Sequence, residues 1–142
     1  MKILFLGDVI GRAAPRAIPD TLPRFPGEWK FDFAVAYAEN ATGGMGLSGA
    51  HAKTILEAGA DCVTLGDHSF DQKDMLQFIE HEPRIIRPLN FSKASHGKGA
   101  RLFTANNGRK VLVMQALGQV FMKRPFDDPF SAVEPIFKTH PL

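Results

Sequence analysis

The sequence predicts an α/β fold, a mostly parallel sheet followed by a β-hairpin, and three observations carry that prediction. From residue 2 to residue 88, short apolar runs suited to buried strands alternate with stretches of helical spacing, in the order β-α-β-α-β-α-β. Two extended runs then flank Asn106-Asn107-Gly108, a strong hairpin signal. Finally, three of the early runs stop on side chains that bear oxygen or nitrogen donors. In an open parallel sheet, functional groups collect just beyond the carboxyl ends of the strands.

Residues 2–7 read as the first buried strand, and Gly7, Asp8 and Gly11 turn the chain out of it. Residues 12–24 have helical spacing through Ala13, Ile18 and Leu22. Pro15 suits a first turn, whereas Pro19 is expected to kink or split the helix. Pro26-Gly27-Glu28 reads as a loop. The second strand is 32–38, followed by the glycine-rich stretch Ala41-Thr42-Gly43-Gly44-Met45-Gly46. Ser48 looks like an N-cap, with Ala52, Ile55 and Leu56 as the buried face and Gly59 as the stop.

The third strand is 61–65. Asp71 and Asp74 are expected to open the next helix, where acids complement the N-terminal dipole. Met75, Leu76 and Ile79 give that helix its apolar face, and Pro83 ends it. Residues 84–88 form a short fourth strand. The hairpin runs are 101–105 and 110–116. Asp127-Asp128-Pro129 then starts a last helix through Phe130, Val133 and Phe137, with Pro129 in its first turn. With no linker or internal repeat, residues 1–142 read as one domain.

Composition narrows the function classes. The chain has 142 residues, 44% hydrophobic and 23% charged, which suits a soluble globular domain with a real core. A net charge of +2 gives no strong signal for nucleic acid or an anionic membrane. No apolar run approaches the roughly 20 residues of a membrane span, and residues 1–8 do not read as a secretory signal. A single cysteine, Cys62, excludes an internal disulfide and fits a reducing, cytoplasmic setting. Lying inside an apolar strand, Cys62 reads as a small buried hydrophobe rather than a nucleophile. Phe31, Phe33, Phe70, Phe78 and Phe91 read as core rather than a base-stacking platform.

The three strand ends are Asp8, Glu39-Asn40 and Asp67-His68. Each residue alone has a structural reading, since Asp8 could cap a turn and Asp67 could accept local backbone amides. Three successive strand ends with the same chemistry favour a shared site for hard or borderline divalent metals. Two such ions about 3.5–4 Å apart can hold a hydroxide and polarise a phosphoryl group. In that arrangement Glu39 suits a bridging carboxylate, Asp8 and Asp67 terminal ligands, and Asn40 an amide ligand or water-orienting group. His68, beside a ligand yet free to face substrate, suits a general acid or a stabiliser of the transferring phosphoryl group. His51, His81, His96 and His140 are not at ligand spacing and read as non-ligands.

Gly7-Asp8-Val9-Ile10-Gly11, Ala38-Glu39-Asn40-Ala41 and Leu65-Gly66-Asp67-His68-Ser69-Phe70-Asp71 resemble the motifs of the YmdB-like metallophosphoesterases, within the calcineurin-like dimetal phosphoesterase superfamily. Arg87-Pro88-Leu89-Asn90-Phe91, Gly97-Lys98-Gly99 and Asp127-Asp128-Pro129-Phe130 extend the resemblance through nearly the whole chain. It implies the N-terminal half of a four-layer α/β/β/α sandwich. The implied activity is a metal-dependent phosphodiesterase or phosphatase acting on small phosphodiesters such as 2′,3′-cyclic nucleotides. Its two divalent ions would be Mn or Fe. On this resemblance Asp8, Glu39, Asn40 and Asp67 fall at metal-ligand or site-lining positions and His68 at the catalytic histidine. No substrate-binding residue is assigned.

Two departures follow. Asp67 stands where the family usually has asparagine, and its added negative charge predicts altered rate or metal preference, testable in an Asp67→Asn protein. The family's later histidine motifs, of Phe-His-Ala-Glu and Gly-Thr-His-Thr-His type, have no counterpart in this sequence. That predicts an incomplete ligand set, little activity by the chain alone, and sheet edges that promote self-association into homo-oligomers. Two other readings stay open. One is a non-catalytic binding or assembly module built on the fold. The other, weaker for want of a phosphate-loop lysine, is a nucleotide-binding module using the loop 43–46.

Overall fold

A computed structural model of the chain describes residues 1–11, 13–24, 29–122 and 124–140. The expected loop Pro26-Gly27-Glu28 lies outside the described residues. Four strands, β1 (Ile3–Leu6), β2 (Phe33–Tyr37), β3 (Cys62–Thr64) and β4 (Ile85–Ile86), form a parallel sheet in the order β1-β2-β3-β4. The register places Ile3 opposite Phe33, Val35 opposite Cys62, and Val63 opposite Ile85. A separate antiparallel hairpin pairs β5 (Ala100–Thr104) with β6 (Lys110–Met114). The mixed architecture predicted from the sequence is therefore present.

Strand alternation sends side chains into two cores. On one face Ala34, Ala36 and Val63 pack with Leu22, Ile55, Leu56 and Met75 from the helices. On the other, Phe33, Val35, Cys62 and Ile86 meet Val111 and Val113 of the hairpin. Phe33 and Phe103 are joined across this second core with ring centroids 5.4 Å apart. Each large apolar side chain buried this way contributes about 1.5–3 kcal/mol. Cys62 is fully buried, and burial pushes its thiol up to about 12, so it is the inert core residue the sequence predicts.

Helix α1 (Ala14–Thr21) has a proline in its first turn and continues past Pro19 before a 3₁₀ turn at Leu22–Arg24. The helix is not split at Pro19. Pro19 is the sixth of the eight helical residues and removes only one amide bond, and the buried Ile18 and Leu22 beside it hold the segment to the core. Helix α2 (Gly49–Glu57) is capped as expected, with Ser48 Oγ accepting from the His51 amide at 3.3 Å. Helix α3 (Met75–His81) buries Met75 and Ile79.

The acids expected to open α3 do other work. Asp74 sits at the N-cap position without capping its own helix, and its Oδ2 instead accepts from the Gly49 amide of α2 at 2.8 Å. Asp71 turns to His68. Asp74 thus exchanges a local role for a tertiary one. Helix α4 (Pro129–Thr139) begins where the sequence predicts, with Asp128 Oδ2 accepting from the Ser131 amide at 2.7 Å. It contributes no buried residue, and Phe130 and Phe137 are exposed.

Candidate active site at the carboxyl ends of three strands

β1, β2 and β3 are neighbours in the sheet, so their carboxyl ends share one edge. After β1 the chain runs on beside the end of β2. The Val9 amide donates to the Tyr37 carbonyl at 2.8 Å, and the Gly11 amide to the Asn40 carbonyl at 3.0 Å. Just before them Asp8 takes a left-handed backbone conformation, φ 46°, rare outside glycine but tolerated by aspartate. Its carboxylate is exposed and accepts from Asn40 Nδ2 at 3.0 Å.

Glu39 is buried, with 5% of its surface exposed. One carboxylate oxygen accepts from the Tyr37 hydroxyl and the other from the His68 backbone amide at 3.0 Å. A buried carboxylate is tolerated only when bonded in this way. The Tyr37 hydroxyl is raised far above its ordinary value, first by burial and then by the Glu39 hydrogen bond and charge. It therefore stays protonated and remains a donor. Gly66 completes the fit, because a side-chain carbon there would overlap the Glu39 carboxylate.

The turn after β3 is tied by Ser69, buried, whose hydroxyl donates to the Gly66 carbonyl at 2.5 Å. It holds Asp67 and His68 at the site. His68 Nδ1 lies 2.6 Å from Asp71 Oδ2, and Nε2 lies 3.9 Å from Asp67 Oδ2. The imidazole pKa is raised, chiefly by the Asp71 hydrogen bond and further by the charges of Asp67, Asp71 and Glu39, against a smaller opposing effect of burial. Asp71 Oδ1 in turn lies 3.9 Å from Arg124 Nη2, on the segment between β6 and α4.

All five residues singled out in the sequence thus lie at one sheet edge, in two bonded groups: Asp8 with Asn40, and Glu39 with His68 and Asp67. Among the described residues, no three His, Cys, Asp or Glu side chains come together as a metal-binding group. The donors present have suitable chemistry but do not close a metal centre by themselves. His51, excluded as a ligand, has its Nδ1 2.8 Å from Thr42 Oγ1 at the base of the glycine-rich loop.

Sequence reasoning missed Tyr37, Gly66, Asp71 and Arg124 as neighbours of the site. The spacing His68-x-x-Asp71 was the signal available for one of them, since a residue three positions on in a tight turn can reach back. Tyr37 ends a strand two residues before Glu39, which places both side chains on one face. Nothing in the local sequence points to Arg124.

Comparison with known proteins identifies relatives of the chain. The family model described as "YmdB-like protein" matches residues 4–141. A Bacillus subtilis protein named 2′,3′-cyclic-nucleotide 2′-phosphodiesterase is 35% identical over 130 residues, covering 92% of this chain and 48% of that protein. A crystal structure of a hypothetical protein from Thermus thermophilus superposes with TM-score 0.89 at 36% identity, covering 97% of this chain and 53% of the other. A crystal structure described as a novel phosphatase from Mycoplasma pneumoniae gives TM-score 0.86 at 29% identity, covering 99% and 51%. The chain thus spans about half the length of these relatives. With the family model matched from residue 4 to residue 141, the chain belongs to the YmdB-like family.

Proposed function

We propose that this chain carries the substrate-side part of a phosphoesterase site, acting on small phosphodiesters of the 2′,3′-cyclic nucleotide class. The observation that carries the reading is His68. Its Nδ1 is engaged by Asp71 at 2.6 Å, which leaves Nε2 to face a ligand at the strand ends. Family membership and the name of the Bacillus subtilis relative support the substrate class.

In this reading His68 Nε2 gives a proton to the oxygen that leaves phosphorus, and the raised basicity of the ring extends upward the pH range over which it carries that proton. Asp71 orients the ring and balances its charge. Asp8, Glu39, Asn40 and Asp67 supply oxygen donors of the kind divalent cations such as Mn or Fe take. Because they form no closed group among the described residues, no step is assigned to a metal. We expect the 142-residue chain to bind metal weakly and to hydrolyse bis-p-nitrophenyl phosphate slowly or not at all. Elemental analysis by inductively coupled plasma and a turnover assay measure both. Tight, stoichiometric dimetal binding with robust turnover would overturn the incomplete-site reading.

A further inference from the structure

A cleft of about 510 Å³ opens between helix α4 and the segment that joins β4 to β5. Leu89, Phe91, Ala132, Pro135 and Ile136 give it apolar walls. Phe91 is stiffened by a stacked contact with Phe126, centroids 5.1 Å apart and planes 6° from parallel. Arg87 also lines the cleft, although only 6% of its surface is exposed.

Arg87 is the unusual member. Its Nε donates to the His96 carbonyl at 3.2 Å, and Nη1 to the Pro88 carbonyl at 2.7 Å. These bonds tie the loop but leave the charge uncompensated. Among the described residues the arginines that pair with carboxylates are Arg84 and Arg124, and Arg87 pairs with none. Its Nη2 has no hydrogen-bond partner among the described residues, and it is not among the sealed, unsatisfied atoms, where Thr64 Oγ1 stands alone. That nitrogen is therefore not fully sealed in the core, and the cleft is the space Arg87 lines.

Three other charges surround the opening, Lys93, Asp127 and Asp128, and all are exposed. Asp128 is already committed to the Ser131 amide at the start of α4. The rim is thus solvated while the one charge at the wall is buried. A buried cation without a counter-charge is costly, and an anion seated against it relieves that cost.

We infer that this cleft is a binding site for a small organic anion, a carboxylate or phosphonate-like head on an aromatic or apolar body, with the head on Arg87 and the body against Phe91 and Ile136. The volume lies in the ordinary range of small-molecule sites, on the order of 300–1,000 Å³. None of Asp8, Glu39, Asn40, Asp67 or His68 lines it, so the inference stands apart from the phosphoesterase reading.

Phenylacetate and phenylphosphonate are suitable probes, with benzyl alcohol as the neutral control. All are titrated into the isotope-labelled 142-residue protein with chelator present, so that metal at the strand ends plays no part. We expect saturable shifts at the Arg87 Nε–H and the Ile136 methyls with both anions, and binding of benzyl alcohol weaker by about tenfold or more. Arg87→Met should abolish anion binding. Since that change also removes loop hydrogen bonds, Ala132→Trp serves as a second variant. It fills the cleft from α4, which buries nothing, and it should weaken both anions by a similar factor while the amide spectrum of the sheet is unchanged. The inference is overturned if the alcohol binds as well as the anions, if Ala132→Trp binds them like the parent, or if neither anion gives saturable shifts.

Discussion

Glu39, Gly66 and His68 form the tightest unit of the site, and each restricts the others. The Glu39 carboxylate occupies the volume where a side chain at position 66 would lie, and it accepts the His68 amide. Gly66→Ala should therefore cost on the order of 1–3 kcal/mol through overpacking, measured by chemical denaturation. Asp71 governs the imidazole. Replacing it by asparagine should move the His68 titration back toward the ordinary imidazole value, followed by nuclear magnetic resonance of the ring protons. The direction for stability follows from linkage. With the folded pKa raised, the His68–Asp71 pair stabilises the fold fully below the unfolded-state pKa, and that contribution fades as pH rises through the folded value. Asp71→Asn should flatten this dependence. An unaltered His68 midpoint in that variant would remove Asp71 from the account.

At the scale of elements, the connections matter more than the strands. Asn90 is buried and works as a clamp. Its Nδ2 donates to the carbonyls of Leu117 and Asp127, both at 2.9 Å, and its Oδ1 accepts the Leu117 amide at 2.9 Å. It joins the end of the hairpin to the approach of α4. Asn90→Ala leaves three backbone groups without their partner, and stability should fall by about 3 kcal/mol in urea unfolding. Such a role was not legible in the sequence, where Asn90 appears only inside a motif. The strands, caps and hairpin were legible because their signals are local: apolar runs that stop, Ser48 before a helix, Asn106-Asn107-Gly108 between extended segments. Asp74 marks the limit. Its position beside α3 suggests a cap, yet its partner is the Gly49 amide, 25 positions earlier in the chain. Local spacing cannot identify a partner chosen by tertiary packing.

Over the whole molecule, burial is uneven. β2 and β3 lie inside the sheet with both faces covered, whereas β1 is an edge strand that leaves Ile3 and Phe5 49% and 59% exposed. No helix among the described residues is long and apolar enough to cross a membrane. Hydrogen exchange should follow this ranking, with the amides of β2 and β3 slowest, β1 intermediate and α4 fastest. Slow exchange throughout α4 would contradict its lack of buried side chains. The same unevenness explains which part of the site the sequence revealed. Asp8, Glu39 and Asp67 could be read because each ends a strand, and adjacent parallel strands must deliver their ends to one edge. The approach of Arg124 to Asp71 depends on how the segment between β6 and α4 folds back, which periodicity does not encode.

Asp8 combines two properties that an ordinary alanine scan would confuse. Its carboxylate faces its neighbours across the site, and its backbone is left-handed. Asparagine tolerates that backbone as readily as aspartate, whereas alanine does not. Asp8→Asn should therefore remove the charge at little cost in thermal stability, while Asp8→Ala should lower the melting temperature as well. Comparing the two by thermal unfolding turns one residue into an internal control, separating what its charge contributes from what its conformation demands.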